Sequence, residues 1–259
     1  MDLGIKGKNA IVCASSRGLG RGCAMALAEA GCNLVVNGRD PAALKETAQE
    51  IRDRFGVNVA EVAADVSTEE GRNALLAACP APDILVNNNA GPPLRDFRAL
   101  TAEDMLQGVT QNMVTPLALI QATVDGMMER GFGRVVNITS LSVYMPLPGL
   151  DLSSGARAGL TAFLAGVARN VADKGVTINN LLPGKFDTDR LSGNIRRAAE
   201  KAGISLEEQA KRQAAEIPAG RFGTPEEFGR VCAFLCSVHA GYITGQNLRL
   251  DGGLFPSAF

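Results

Sequence analysis

A short glycine-containing segment near the start of the chain has the residue types of an anion-binding turn. It reads Cys13-Ala14-Ser15-Ser16-Arg17-Gly18-Leu19-Gly20 and leads directly into a segment with helical periodicity. Glycines let a backbone turn tightly and approach a pyrophosphate, while the N-terminus of the following helix offers free N–H groups and partial positive charge. The turn therefore indicates a dinucleotide ligand, although two glycines opening a helix are also typical of an ordinary tight turn.

The second predicted strand ends in an arginine and carries no acidic residue at its tip. Val36-Asn37-Gly38-Arg39 offers no carboxylate to the ribose 2′-hydroxyl of NAD. Arg39 and Arg17 can instead form a charge-assisted fork around a 2′-phosphate, which favours NADP(H). The alternative is that both arginines are solvated loop residues and that Asp40 reaches the ribose.

These residues must be positioned by the elements around them, and the pattern of the chain is that of alternating strands and helices. Short Val, Ile and Leu runs alternate with longer Ala-rich helical segments, which predicts a parallel sheet covered by helices on both faces. The predicted strands lie near Asn9–Cys13, Asn33–Asn37, Asn58–Ala63, Ile84–Asn87, Arg134–Thr139, Thr177–Leu182 and Asn247–Leu250. The predicted helices lie near Gly18–Ala30, Pro41–Phe55, Thr68–Ala78, Ala102–Arg130, Ser153–Asp173 and Pro225–Ser237. We therefore predict one α/β domain over residues 1–259, a doubly wound (Rossmann-type) seven-stranded parallel sheet, in which a segment around 185–217 breaks the alternation and covers the substrate.

Composition excludes several classes of partner. The chain has 259 residues, a formal charge of −1 and a sequence pI of about 6.0, without a basic block suited to nucleic acid. Its six cysteines lie in apolar contexts without zinc-like spacing, and no stretch approaches the length of a membrane span. We expect a cytoplasmic protein with reduced thiols, no metal and a small-molecule partner.

The order and spacing of further motifs carry a resemblance that covers nearly the whole chain. After the glycine turn come Ala64-Asp65-Val66, the segment from Asp83 to Gly91, Asn112, the segment from Val136 to Ser140, Leu182-Pro183-Gly184 with Thr188, and the segment from Gly245 to Gly253. This series resembles the short-chain dehydrogenase/reductase family, particularly its β-ketoacyl-acyl-carrier-protein reductase-like branch. The resemblance implies the strand order 3-2-1-4-5-6-7, NADP(H) at the carboxyl ends of the strands, and a homo-oligomer, either tetramer or dimer. It also implies reduction of a carbonyl, or oxidation of the alcohol, on a small or acyl-type substrate.

The resemblance also assigns roles to individual residues. Ser140 matches the serine that hydrogen-bonds a substrate carbonyl oxygen, and Asn112 matches a helix asparagine that shapes a proton-relay water site. A plainer interpretation of Asn112 is a polar residue that satisfies a break in a helix backbone. The residues implied at the cofactor are Ala14, Ser16, Arg17, Gly18, Leu19, Gly20, Arg39, Asp65, Val66, Asn88, Asn89, Ala90, Gly91, Arg157, Pro183, Gly184 and Thr188.

Two catalytic residues of the family are replaced here. The family has a tyrosine thirteen residues after the serine and a lysine four residues later, whereas this chain has Ser153 and Arg157 at those positions. Arg157 can keep the positive charge and the ribose hydrogen bonds, but its guanidinium stays protonated and cannot act as an ordinary acid. Ser153 can hydrogen-bond an oxyanion but is a poor proton source. Tyr144, four residues after Ser140, could supply a phenol, but a substrate-pocket or core tyrosine whose hydroxyl is satisfied by backbone is the favoured interpretation.

The departures leave alternatives open. Ala14 replaces the first glycine of the turn, and we expect the turn to survive if the φ of Ala14 is negative.

The protein could be a catalytically silent dinucleotide binder acting as a sensor or assembly partner, or a non-redox enzyme on the same scaffold. A Ser-His-Asp hydrolase has little support, because the single histidine, His239, has no serine and carboxylate arranged near it. The basic residues between Arg190 and Arg212 could bind a phosphate or form a solvated helix face.

Overall fold

The structure, a computed structural model, describes residues 1–92 and 94–257. At its centre is a parallel sheet of seven strands in the order β3-β2-β1-β4-β5-β6-β7. The strands are β1 (Asn9–Val12), β2 (Asn33–Gly38), β3 (Val59–Ala63), β4 (Ile84–Asn87), β5 (Gly133–Ile138), β6 (Val176–Pro183) and β7 (Asn247–Leu250). The predicted doubly wound sheet is confirmed, and each predicted strand end lies within one residue of the observed end.

Helices cover both faces of this sheet. They are α1 (Gly18–Glu29), α2 (Pro41–Phe55), α3 (Glu69–Ala78), α4 (Ala102–Val109), α5 (Thr115–Glu129), α6 (Asp151–Val171), α7 (Asp189–Ala202), α8 (Leu206–Ala215) and α9 (Pro225–Cys236). Because side chains of a strand alternate between faces, the sheet supports two separate apolar layers. The first layer includes Val12, Val86, Leu27 and Phe228, and the second includes Leu85, Leu119 and Leu164. Among the described residues, no helix combines the length and the hydropathy needed to cross a bilayer.

The segment predicted as one helix over Ala102–Arg130 is divided in the structure. A π-helical turn at Thr110–Val114 separates α4 from α5. The ring nitrogen of Pro116 has no N–H to donate to the carbonyl of Asn112, as a regular helix would require. The side-chain amide of Asn112 also donates to the carbonyl of Gly108 at 3.2 Å. The prediction of one continuous helix is therefore wrong, because this segment widens into a π turn around Asn112.

The segment after β6 folds into two helices at the carboxyl edge of the sheet. Thr188 caps α7, with its hydroxyl oxygen accepting the N–H of Leu191 at 3.4 Å, and α8 follows. Phe186 anchors the segment, since it pairs with Gly223 and packs edge-to-face against Phe228 at 5.3 Å between ring centroids. This anchoring holds α7 and α8 above the strand ends, where an α/β sheet binds its ligands.

Candidate active site

The glycine-containing turn after β1 keeps a tight conformation in spite of its alanine. Ala14 has φ +44° and lies in the left-handed region, so the turn keeps its shape although the condition of a negative φ is not met. Its N–H donates to Asn37 Oδ1 at 3.1 Å, and its carbonyl accepts from Asn88 Nδ2 at 3.3 Å. A Cβ on Gly20 would lie 2.2 Å from that carbonyl, so only glycine fits there. The two side-chain bonds hold Ala14 in a conformation that costs an alanine about 1 kcal/mol.

The N-terminus of α1 suits an anionic ligand. Helix α1 begins at Gly18, which has φ +56°, and its N-cap residue Arg17 makes no side-chain hydrogen bond to the first turn. By contrast, Asp40 caps α2 and Thr68 caps α3 through their side chains. The free N–H groups of α1 therefore remain available to a pyrophosphate. Ser16 and Leu19, predicted at the cofactor, flank this helix start, and the Ser16 carbonyl accepts from the Thr47 hydroxyl at 2.9 Å.

Two arginines lie where a 2′-phosphate is predicted. Arg17 pairs with Asp40 at 2.7 Å, and Arg39 lies 3.9 Å from Asp65, with both guanidinium groups exposed. Asp40 also accepts the N–H groups of Ala42 and Ala43 as the cap of α2. Because the cap and Arg17 both occupy this carboxylate, it is poorly placed to serve a ribose hydroxyl, which favours the NADP(H) prediction over its alternative. Asp65 further accepts the N–H of Ser67 at 2.8 Å, next to the buried Val66.

The loop after β4 and the segment after β6 both contact the glycine turn. These three segments line what is here called the cleft, the candidate cofactor site at the carboxyl edge of the sheet. Asn88 contacts the glycine turn as described, and Asn89 Nδ2 donates to Ser67 Oγ at 2.9 Å and to the Gln111 carbonyl at 3.1 Å. The methyl carbon of Thr188 lies 3.5 Å from a Cβ placed on Gly18, so the start of α7 also meets the turn. The predicted cofactor residues Ala90, Gly91, Pro183 and Gly184 lie in these two walls.

Ser153 and Arg157 form a buried pair on α6. Arg157 donates from Nε to Ser153 Oγ at 3.2 Å and from Nη1 to the Ile138 carbonyl at 2.7 Å. Ser153 is 4% exposed and Arg157 is 8% exposed. Burial lowers the pKa of Arg157 to about 10, and repulsion by Arg190 acts in the same direction. At neutral pH the guanidinium is therefore a buried cation whose planar fork holds the Ser153 hydroxyl.

Ser140 lies at the end of β5, two residues beyond the carbonyl that Arg157 contacts. It is half-buried and its hydroxyl oxygen accepts the N–H of Ser142 at 3.1 Å. Neither Ser140 nor Ser153 donates its hydroxyl proton to another described residue. Both hydroxyl groups are therefore available as hydrogen-bond donors to a ligand.

A small cavity of about 20 Å³ lies beside this pair and is lined by Asn87, Asn112, Thr115 and Arg157, among others. Oδ1 of Asn87, Oδ1 of Asn112 and Oγ1 of Thr115 are buried and have no hydrogen-bond partner among the described residues. A cavity of this volume has room for about one water molecule, and a polar lining favours one. The predicted water site at Asn112 is thus compatible with both the size and the acceptors of this cavity.

A ladder of asparagines, which sequence reasoning missed, crosses four neighbouring strands. Each amide nitrogen donates to the next amide oxygen, and the strand register places the four residues side by side. The bonds run from Asn87 to Asn137 at 2.9 Å, to Asn180 at 3.1 Å, to Asn247 at 2.8 Å, and finally to the phenol oxygen of Tyr144 at 2.8 Å. The signal available in the sequence was at least one asparagine in each of the last four predicted strands, with two, Asn179 and Asn180, in the sixth.

The ladder fixes where Tyr144 lies. Its phenol accepts from Asn247 on β7, its ring lies 6.0 Å from the ring of Phe255, and the residue is 44% exposed. Asn247 is in register with Asn180, and thus three residues before the level of Pro183 at the end of β6. The structure joins Tyr144 to the edge strand, and shows no hydrogen bond from it to Ser140, Ser153 or Arg157.

Two further polar side chains that could do chemistry, Lys185 and His239, are each bonded to another part of the protein. Lys185 pairs with Glu216 at 2.5 Å, and the ring of His239 contacts the carbonyl of Asp2 at 2.7 Å. Burial raises the pKa of the Cys13 thiol to about 12, so this cysteine beside the turn is not a nucleophile at neutral pH. In the part of the chain that the structure describes, no group of three His, Cys, Asp or Glu residues could hold a metal.

Comparison with known proteins gives close relatives over the full length of the chain. A family model described as enoyl-(acyl carrier protein) reductase matches residues 13–255. The 3-oxoacyl-[acyl-carrier-protein] reductase FabG of Aquifex aeolicus is 31% identical over 259 residues, covering 98% of this chain and 100% of the relative. Glucose 1-dehydrogenase 2 of Bacillus subtilis is 32% identical, covering 98% of this chain and 97% of the relative.

A solved structure agrees with these relatives. L-sorbose reductase from Gluconobacter frateurii, complexed with NADPH and L-sorbose, has a TM-score of 0.94 and 29% sequence identity, and the match covers 99% of this chain and 100% of that chain. The motif order, the sheet topology and the sequence matches therefore agree over nearly the whole length. The chain belongs to the short-chain dehydrogenase/reductase family.

Proposed function

We propose that this protein reduces the carbonyl group of a small or acyl-type substrate with NADPH, using Ser140, Ser153 and Arg157 around the reacting oxygen. The class of NADP(H)-dependent oxidoreductase agrees with the family, whose related structures include one with NADPH and one with NADP bound. The observation that carries the proposal is the hydrogen bond from Arg157 Nε to Ser153 Oγ. It occupies Ser153 as an acceptor and leaves its hydroxyl proton to donate to a ligand.

The residues of the cleft fit the dinucleotide. The uncapped start of α1 offers N–H groups to the pyrophosphate, and the exposed guanidinium groups of Arg17 and Arg39 are proposed to bind the 2′-phosphate. When bound, the cofactor supplies the hydride that the carbonyl carbon accepts. Asn88 to Gly91 and Pro183 to Thr188 are proposed to hold its ribose and nicotinamide ends, with Arg157 at the nicotinamide ribose.

The chain's own residues stabilise the charge that develops on the carbonyl oxygen. Ser140 and Ser153 donate hydroxyl hydrogen bonds, and the Arg157 cation provides a positive potential in a site with little solvent. Arg157 keeps its proton, so the alkoxide takes its proton from a water molecule. The cavity beside Asn112 has room for that water. Since positioned acid catalysis is worth roughly 10²- to 10⁴-fold, this enzyme is expected to be slower than one with a tyrosine acid.

The proposal also covers the domain organisation, the cellular location and the assembly of the protein. Residues 1–259 form one dinucleotide-binding domain in which α7 and α8 cover the substrate. The cytoplasmic location and the homo-oligomer stay predictions; all six cysteines are free and buried thiols, which agrees with a reducing compartment.

Oxidation of NADPH, followed by its absorbance with a panel of aldehydes, diketones and β-ketoacyl thioesters, tests the proposal. The wild type is compared with the Ser153→Tyr/Arg157→Lys double variant, which restores the residues usual in the family. Turnover by the wild type supports a reductase with an unusual proton route. Turnover by the double variant alone would favour the silent dinucleotide binder, which loss of the tyrosine and lysine already suggests.

A further inference from the structure

A group of arginines near the cleft has no acidic partner. Arg157, Arg190 and Arg197 make no ion pair with any carboxylate in the described part of the chain, whereas Arg17 and Arg39 both do. Desolvation lowers the pKa of Arg190, and Arg197 acts in the same direction. Arg190 and Arg197 are exposed, so solvent screens part of their repulsion, and an anion bound beside Arg190 would reduce it further.

Arg190 lies across the mouth of the cleft. Its guanidinium donates from Nη1 to the carbonyl of Gly91 at 3.3 Å and from Nη2 to the carbonyl of Pro92 at 3.2 Å. It belongs to the first turn of α7, two residues after Thr188, which meets the glycine turn. Arg190 thus bridges the two walls proposed to hold the cofactor, through two long hydrogen bonds that a carboxylate could replace with shorter, charge-assisted ones.

Arg157 and Arg190 both adjoin the loop after β4, since Arg157 lines the small cavity with Asn87 to Asn89 and Arg190 donates to the carbonyls of Gly91 and Pro92. Asp187 and Asp189, the acidic neighbours of Arg190 in sequence, make no ion pair with it. A ligand that reaches both arginines therefore needs a polar oxygen at Ser153–Arg157 and an anionic group a short distance away. This requirement describes one small molecule with two functional groups.

We propose that the substrate is a short oxo acid whose ketone oxygen binds at Ser140, Ser153 and Arg157 and whose carboxylate binds the Arg190 guanidinium. This inference rests on the proposed reductase function and specifies its substrate class. The reaction balances as oxo acid plus NADPH plus a proton from water giving hydroxy acid plus NADP⁺. The carboxylate does not react and serves to orient the ketone.

A cofactor phosphate is the other source of an anion, but its positions are on other residues. The pyrophosphate position is at the start of α1, and the 2′-phosphate position is between Arg17 and Arg39. Arg190 lies two residues after Thr188, which meets the glycine turn, whereas Arg157 is bonded to the end of β5 and lines the cavity with Asn87 and Asn112, on neither of these phosphate-binding elements. The substrate is therefore the better match for their anion.

The test compares α-, β- and γ-oxo acids with their methyl esters, which keep the ketone and remove the charge. The values of kcat/KM are measured for the wild type, for Arg190→Met and for Arg196→Met, a control on the same helix whose exposed arginine forms no ion pair with the described residues. The wild type is expected to prefer at least one acid over its ester on the order of 10- to 100-fold. Arg190→Met should abolish most of this preference, and Arg196→Met should keep it.

Other outcomes separate the two proposals. Equal turnover of acids and esters by the wild type would overturn the oxo-acid inference and leave the reductase intact. If Arg190→Met weakens NADPH binding and leaves the acid-to-ester ratio unchanged, the anion is a cofactor phosphate and the inference is wrong. If no carbonyl is reduced, calorimetric binding of the oxo acids with NADP⁺ present still decides it, because selective, Arg190-dependent binding supports the anion site and its absence refutes it.

Discussion

Arg157 donates its Nε–H to the hydroxyl oxygen of Ser153 at 3.2 Å, one helical turn away on α6. The second bond, to the Ile138 carbonyl, ties the same guanidinium to the end of β5, just before Ser140. One buried cation is thus bonded to the Ser153 hydroxyl and to the strand that ends two residues before Ser140. The arrangement can stabilise an oxyanion, but it contains no group that readily gives up a proton at neutral pH.

Replacing Arg157 with methionine is expected to lower kcat/KM for the carbonyl substrate on the order of 10²-fold, because the oxyanion loses its buried positive charge and Ser153 loses its positioning bond. Steady-state kinetics with NADPH measure the effect. Arg169→Met on the same helix is the control, since Arg169 is exposed and forms no ion pair in the described chain. Equal losses in the two variants would show that Arg157 acts through the helix and not through the site.

Replacing Ala14 with glycine is expected to stabilise the protein by about 1 kcal/mol, because glycine adopts φ +44° without the steric cost of a Cβ. Urea denaturation measures the change in the free energy of unfolding. Gly18→Ala is the matched opposite, since Gly18 has φ +56° and the added methyl would meet only an ordinary contact at 3.5 Å. It should destabilise by a similar amount. A loss of stability in Ala14→Gly would mean that Ala14 is not strained.

The sheet could be predicted from the sequence because its strands are short apolar runs buried on both faces, bounded by turn residues. The middle helix could not, since nothing in its periodicity marks the π turn that Pro116 and Asn112 produce. Sequence spacing brought Ser153 and Arg157 to one helix face, but their contact with Ile138 depends on how α6 packs against β5.

The rest of the site depended on long-range register. The asparagine ladder forms only when β4 to β7 align at one level, and residues from distant parts of the chain meet there. The sequence permitted Tyr144 to approach the substrate oxygen, whereas in the structure Asn247 holds its phenol. Alanine in general prefers a negative φ, and bonds to the side chains of Asn37 and Asn88 hold Ala14 at φ +44° against that preference.

Replacing Asn180 with alanine is expected to destabilise the protein by about 1–3 kcal/mol, because it removes the amide oxygen that accepts from the buried Asn137 side chain. The control is Asn58→Ala. Asn58 donates the same type of amide bond to Asn33 at 3.1 Å, but Asn58 is exposed, so its loss should stay within about 0.5 kcal/mol. Chemical denaturation of both variants checks the difference, and equal effects would show that the ladder adds no stability.

The ion pair between Arg221 and Glu227 predicts a change in acid stability. The hydrogen bonds from Arg221, with the N–H of Thr224, lower the pKa of Glu227 from 4.5 to about 2. A carboxyl group whose pKa is lower in the folded state stabilises the fold above its unfolded pKa and loses that effect as pH falls towards 2. Glu227→Gln keeps an acceptor for the α9 cap but removes the charge, so its stability should fall less steeply over this range.

Thermal denaturation over a pH series measures this effect, with Glu226→Gln as the control. Glu226 is adjacent, exposed and without an ion pair in the described residues, so it gives the same change in net charge. Parallel pH profiles for the two variants would contradict the stabilising role of the Arg221–Glu227 pair.

The most direct test of the central claim is the transfer of hydrogen from NADPH to carbon. The wild type is incubated with a carbonyl substrate and NADPH that carries deuterium at the transferable position of the nicotinamide, and the alcohol is analysed by mass spectrometry. The account predicts one deuterium on the former carbonyl carbon, with the transfer rate reduced on the order of 10²-fold or more in Ser153→Ala/Arg157→Met. Deuterated alcohol from Ser153→Tyr/Arg157→Lys, but none from the wild type, would contradict it.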